Sequence, residues 1–285
     1  MTQEYDSLNL SPSLKDAAFQ CFGETDMLRE NSLKELRNLI LALPEDERIT
    51  DISDRSLIRF IRSRKYNLER ALEFTVKYHE FQKKYAHLLN NFTADEIMVI
   101  KDMVMLIEEP EIFGKAILIV TPSRGFHHMT KERIRDNPHM TFRNNYFIFE
   151  ELSHHPRVQI CGLFAVTNFH GLSFWDQMTL SNMTPFSDHM ATFNHFHALG
   201  VRLKGTFIIE QPTMLSWLWF LMRPFMSEKL QKRFHLCGTD LKILHEHLQD
   251  VSRLPRSLGG QIEDDNPSLT KWMEEKYQQL LATRI

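Results

Sequence analysis

Glycine and cysteine are both scarce in this chain. Ten glycines in 285 residues form no GxGxxG turn, no Walker lysine loop and no GxSxG elbow. The usual strand-to-helix devices for gripping a phosphate or presenting a nucleophile are therefore missing. The expectation is a protein that is not an enzyme. The three cysteines, Cys21, Cys161 and Cys237, are odd in number and far apart, which argues for reduced thiols and against a disulfide framework. No apolar run approaches the roughly 20 residues of a membrane span; the longest, around Met214 to Met222, is about half that. Met1 to Leu14 lacks the apolar core of a secretory signal, so a cytoplasmic protein is expected. Under that expectation the sequons at Asn9, Asn91 and Asn182 are chance matches. A strong charge imbalance is also lacking. Lys and Arg total 34 against 37 Asp and Glu, a net charge of −3, so no nucleic-acid partner is implied.

What is present is enough apolar material, 42% of residues, for one large domain or two smaller ones. Leu28, Leu33, Leu36, Leu39, Ile40 and Leu43 recur at helical spacing from Met27, and Pro44 stops the pattern. Asp54 caps a second predicted helix carrying Leu57, Ile58 and Ile61, with Arg55, Arg59 and Arg62 around it. Asn67 caps a third, with Leu68, Ala71, Leu72, Thr75 and Val76 as its buried stripe. After Gly114 the pattern changes. Ala116–Val120, Gly162–Thr167 and Gly205–Ile209 are short apolar runs of the kind buried on both faces of a sheet, and a last strand is expected near Phe234–Cys237. Helical patterns at Phe142–Ser153 and Thr184–Leu199 separate them, the spacing of βαβ crossovers in a mostly parallel sheet. The expected division is an N-terminal extension over 1–26, a helical domain over 27–105, an α/β domain over 106–262 and a helical tail over 263–285.

Fourteen histidines raise the question of a metal. Neighbours such as His127 and His128, His154 and His155, His195 and His197, and His245 and His247 diverge in direction on a helix, and no HExxH accompanies them, so no metal site is expected. The most unusual segment is Pro212 to Phe225. Its residues Met214, Leu215, Trp217, Leu218, Trp219, Phe220, Leu221 and Met222 cover every side of a predicted helix, which must then be buried core or alternate between a cavity and a membrane. Around it Arg202, Lys204, Arg223, Lys229, Lys232 and Arg233 meet only Glu210 and Glu228, a basic window in an acidic chain suited to an anionic lipid surface.

Several motifs in order resemble the CRAL-TRIO lipid-binding family, in its tocopherol-transfer and retinaldehyde-binding branch. Leu57-Ile58-Arg59-Phe60-Ile61-Arg62-Ser63-Arg64-Lys65-Tyr66-Asn67-Leu68-Glu69-Arg70-Ala71 is similar to the family's LLRFLRARKFDLERA signature. Asn168-Phe169-His170-Gly171-Leu172 stands at its post-strand turn, Arg223 to Leu230 resembles KPFLxEKL, and Leu254 to Gly260 resembles LPxxFGG. Gly200 departs from the pattern, standing where the family has the proline of an SFP turn. The resemblance covers roughly residues 27 to 262. It implies a small all-helical N-terminal domain on a CRAL-TRIO α/β domain with a mostly parallel sheet, a lipid cavity and a mobile gate helix, the gate being the segment from Pro212. It also implies a monomeric carrier of a hydrophobic small molecule, a retinoid, tocopherol or similar isoprenoid, with no cofactor besides that cargo. Exchange is expected at phosphoinositide-containing membranes, through a cationic cleft of Arg59, Arg202, Lys204, Lys229 and Arg233. Alternatives are phosphatidylinositol transfer and a phosphoinositide-reading adaptor without cargo.

Strand alternation puts Leu163, Ala165 and Thr167 on one face of the sheet, and Phe142, Asn145, Tyr146 and Phe149 share a helix that can converge on it. By family position the expected pocket adds Leu172, Phe174, Asn194, Leu199, Val201 and Thr206, with Leu218 and Met222 from the gate. Asn145, Tyr146, Thr167 and Asn194 are the polar groups available to orient one end of a cargo.

Overall fold

A computed structural model describes residues 7–89, 94–108, 114–128, 131–137, 139–173, 175–176, 186–226, 228–248 and 250–282. The N-terminal part is helical: α1 (Pro12–Phe22), α2 (Asp26–Leu41), α3 (Asp54–Ser63), α4 (Leu68–Leu89) and α5 (Ala94–Ile100). Local chemistry sets the ends. The Ser53 hydroxyl accepts from Ser56 N at 3.3 Å, so Ser53 rather than Asp54 caps α3. Asn67 Oδ1 accepts from Arg70 N at 2.9 Å at the head of α4. The stripe Leu33, Leu36 and Ile40 of α2 meets Leu57, Ile58 and Ile61 of α3 and Ala71 and Phe74 of α4 in one core. Helix α1, within the stretch expected to be a plain extension, inserts Leu14, Ala17 and Ala18 against Ile160 and Cys161.

The second part holds β1 (Val104–Glu108), β2 (Ala116–Val120), α6 (Lys131–Asp136), α7 (Met140–Ser153), α8 (Pro156–Ile160), β3 (Leu163–Asn168), α9 (Phe186–Leu199), β4 (Leu203–Ile209), α10 (Thr213–Met222), α11 (Glu228–Gln231), β5 (Phe234–Gly238), α12 (Lys242–His245) and α13 (Pro267–Ala282). The strands lie in the order β1-β2-β3-β4-β5. β1 runs antiparallel to β2, and all later pairs are parallel. The fold is therefore α/β with a mostly parallel sheet, as expected. β1 was not among the expected strands: Val104–Glu108 follows α5 after only a three-residue turn, so its apolar run reads on from the helix. The edge it forms is covered by α13, whose Trp272 and Met273 join Val104 in the core. The closing LPxxFGG-like stretch is a backbone contact. A Cβ on Gly260 would lie 1.9 Å from the Leu254 carbonyl oxygen, so only glycine permits the chain to fold back there.

Two buried arginines tie the parts together. Arg62 is fully buried and grips Glu24 through two hydrogen bonds of 2.9 and 2.6 Å, while also donating to the Ser7 carbonyl and Gln159 Oε1, both at 2.7 Å. This fastens the N-terminal stretch and α3 to α8. Arg59 donates to Glu150 Oε1 at 2.7 Å and Ser153 Oγ at 2.8 Å and lies 4.5 Å from the Tyr78 ring centroid, fastening α3 and α4 to α7. Burial alone would raise the Glu150 carboxyl, but the Arg59 guanidinium and the neighbouring histidines hold it well below the usual carboxylate range.

Candidate functional site

A parallel sheet ordinarily has both faces sealed by helices; among the described residues the second face here is sealed only in part. On the first face Phe164, Val166, Phe207 and Ile209 are buried against Leu244, Leu254 and Leu258. On the second face the N-terminal end is equally closed, with Ala116, Leu118 and Leu163 packed beneath Met140, Ile148 and Leu152 of α7. Beyond that end Ile208, paired with Thr167 and Leu236, is still buried, but its neighbours are not. Val120, Ala165, Thr167, Thr206, Phe234 and Leu236 all retain accessible surface although β3 and β4 are central strands. The pairings Ala165 with Thr206, Val120 with Thr167, and Thr206 with Phe234 place these residues side by side. Three of them are small, so the middle of this face is recessed between larger neighbours.

Helices α7, α9 and α10 surround the recess. Phe149 of α7 meets Phe196 of α9 edge-on at 5.0 Å. Asn145 lies at the angular position between sheet-facing Leu152 and Phe149. α10 leaves the C-terminal end of β4 and leads to α11 and the start of β5. Its Trp219 stacks flat on Phe234, with centroids 4.0 Å apart. The opposite face of α10 carries Trp217, Phe220 and Leu221, exposed at 69%, 73% and 57%. Three large apolar side chains on one outward face need a partner other than water, so α10 presents apolar surface both inward and outward. The turn that launches it is constrained. Glu210 has φ +49°, unusual for a residue with a side chain. It donates its N–H to the Gly238 carbonyl at 2.7 Å, and its carboxylate pairs with His170 at 2.8 Å.

A cationic group lies at the opposite edge of the sheet. Arg202, Lys204 and Arg233 stand at the starts of β4 and β5, and parallel strands bring those starts together. Burial lowers the Lys204 ammonium from its ordinary value, and Arg202 and Arg233 push the same way. Among the described residues none of the three has a carboxylate partner. Arg202 instead donates to the Ile160 carbonyl and lies 4.8 Å from the ring centroid of Phe22, at the end of α1. Arg233 donates to the Leu203 carbonyl, and Lys229 is exposed on α11.

Several expected positions fall elsewhere. Arg59 is 4% exposed and spent on Glu150, Ser153 and Tyr78, so it cannot serve a headgroup cleft. Phe142, Leu163 and Leu199 have essentially no accessible surface and are ordinary core, since a side chain lining a space that admits a ligand also admits water. The Tyr146 ring stacks on His195 at 4.3 Å, turned to the interdomain packing. Asn194 is exposed on the α9 flank away from Phe196. Leu172 is buried, and Val201 bridges two cores. Phe174 and the side chains of Met214, Leu218 and Met222 lie outside the described residues. The recess keeps Ala165, Thr167, Thr206, Asn145 and Phe149 from the expected set and adds Val120, Phe234 and Leu236. Strand alternation carried the signal for these additions, once β2 and β5 were placed in register with β3 and β4. No group of three or more potential metal ligands occurs among the described residues, and no described helix is long and apolar enough to cross a membrane.

Residues 101–260 match the CRAL/TRIO domain, more than half of the chain. The chain belongs to that family, whose members bind and transfer lipids. Over 213 residues, 74% of the chain, it is 25% identical to the human protein named alpha-tocopherol transfer protein-like, and the match spans only 59% of that relative's length. Over 257 residues, 89% of this chain and 70% of the relative, it is 23% identical to mouse clavesin-1. Among solved structures, that of Sfh5 aligns over 92% of this chain and 91% of its own at a TM-score of 0.49 and 14% identity.

Proposed function

We propose that the protein is a non-enzymatic carrier of one hydrophobic isoprenoid, of retinoid or tocopherol type, exchanged at phosphoinositide-containing membranes. One observation carries this reading: the accessible, recessed half-face of the sheet lies beneath a helix whose outer side is also apolar. A cargo held there loses its contact with water at about 25 cal/mol per Å². Release requires α10 to find a new apolar partner, which a bilayer supplies. The name of the human relative, alpha-tocopherol transfer protein-like, favours a cargo of this class. Arg202, Lys204, Lys229 and Arg233, free of carboxylate partners among the described residues, suit the phosphate groups of an anionic headgroup. Organic extraction of the purified protein, followed by mass spectrometry and absorption spectroscopy, tests the proposal. It predicts a single isoprenoid at one per chain. Recovery of no lipophile, together with failure to bind any offered, ends it. Vesicle-to-vesicle transfer of labelled phosphatidylinositol tests the alternative cargo.

A further inference from the structure

Two hydroxyls stand in the recess without a protein partner among the described residues. Thr167 and Thr206 lie on the accessible face of the central strands, and neither side chain makes a hydrogen bond within the described chain. Their neighbours on this face are apolar: Val120 and the buried Ile208 flank Thr167, and Phe234 stands beside Thr206. Thr206 pairs directly with Ala165, and Thr167 follows Ala165 by two residues on the same strand, so the threonines are diagonal neighbours, roughly 7–8 Å apart along the backbone. The Ala165 methyl leaves a dip beside both. Threonine suits a strand by its β-branch, yet valine has the same shape without the polar atom.

We infer that Thr167 and Thr206 are the specificity-determining pair of the recess, selecting a lipophile that carries one uncharged hydroxyl or carbonyl terminus over a pure hydrocarbon. This rests on the carrier reading and narrows its cargo. Water satisfies both hydroxyls while the face is accessible. A cargo that displaces this water must replace its hydrogen bonds, and a buried hydroxyl left without a partner lowers affinity by about tenfold or more. A headgroup lying over Ala165 can be reached from both strands. A charged terminus gains less, since the cations lie apart at the strand starts and no charged side chain accompanies the threonines among the accessible residues of this half-face.

The test uses delipidated full-length protein and two labelled probes that differ by one hydroxyl, phytanol and its parent hydrocarbon phytane. Wild type is expected to bind phytanol at least tenfold more tightly. Thr167→Val with Thr206→Val is expected to bring the two probes within about threefold of each other, largely by improving phytane, at an unchanged melting temperature. The Thr167→Ser and Thr206→Ser pair, which keeps both hydroxyls, is expected to keep the preference. No preference in wild type, or full preference in the valine variant, overturns the inference and leaves the carrier reading standing. Binding of neither probe overturns both.

Discussion

Replacing Trp217 by alanine separates the outer face of α10 from the rest of the molecule. An aromatic side chain of this size presents roughly 200 Å², and Trp217 is 69% exposed, so about 140 Å² faces water, worth about 3.5 kcal/mol if fully withdrawn. Insertion at headgroup level withdraws part of that area, and alanine retains a little. The expected loss is therefore about 2 kcal/mol, or about 30-fold in partitioning onto lipid vesicles. An exposed side chain contributes little to folding, so the unfolding free energy should move by no more than about 0.5 kcal/mol. Vesicle flotation over a lipid titration, paired with urea unfolding, reads both numbers. Unchanged partitioning at normal stability would refute the assignment of this face to a membrane. A large drop in stability would show that Trp217 is part of the fold instead.

Other outcomes follow from the same packing. Glu24→Ala strands the buried Arg62 guanidinium and should cost about 3–5 kcal/mol, with Glu24→Leu/Arg62→Met recovering much of it; equal urea midpoints for wild type and Glu24→Ala would contradict the clamp. Lys204→Glu and Arg233→Glu should weaken binding to phosphoinositide vesicles about tenfold or more at low salt while sparing cargo affinity, and equal loss of both would remove the division between cleft and recess. Burial depresses the His195 imidazole despite the adjacent Glu150. The unfolded chain therefore takes up a proton first, and stability should fall as pH drops below about 6.5, by up to about 1.4 kcal/mol per pH unit from this group. His195→Phe should reduce that slope in a melting series from pH 7.5 to 5.5, while the buried His155, depressed to about 3, keeps its own share; an unchanged slope would assign the effect to other groups.

The elements with a strong period were legible in the sequence. β2 has the expected limits, α2, α7 and α9 lie within about two residues of theirs, and α3 and α4 start within a residue of the expected caps, because apolar spacing and the residues at Ser53, Asn67 and Pro44 act locally. Direction in space was harder to read. Phe142 and Asn145 share α7, yet Phe142 packs on Phe81 and Tyr85 of α4, and only the placement of the helical domain decides which side of α7 is sealed. Arg59 is cationic in the sequence and neutralised in the fold, since its partner Glu150 lies 91 residues away. The outward face of α10 was ambiguous for the same reason: a helix apolar on every side does not state which side is covered. The accessible half-face depends on small residues lying in register across β3 and β4, which no single segment reveals.

Native mass spectrometry of wild type and Ala165→Trp, purified from the same lipid-containing cells, tests the recess most directly, because the indole fills the dip beside Thr167 and Thr206. The account predicts one bound lipophile per wild-type chain, none on the variant, and closely similar melting temperatures for the two delipidated proteins. Equal lipid occupancy in both would contradict it.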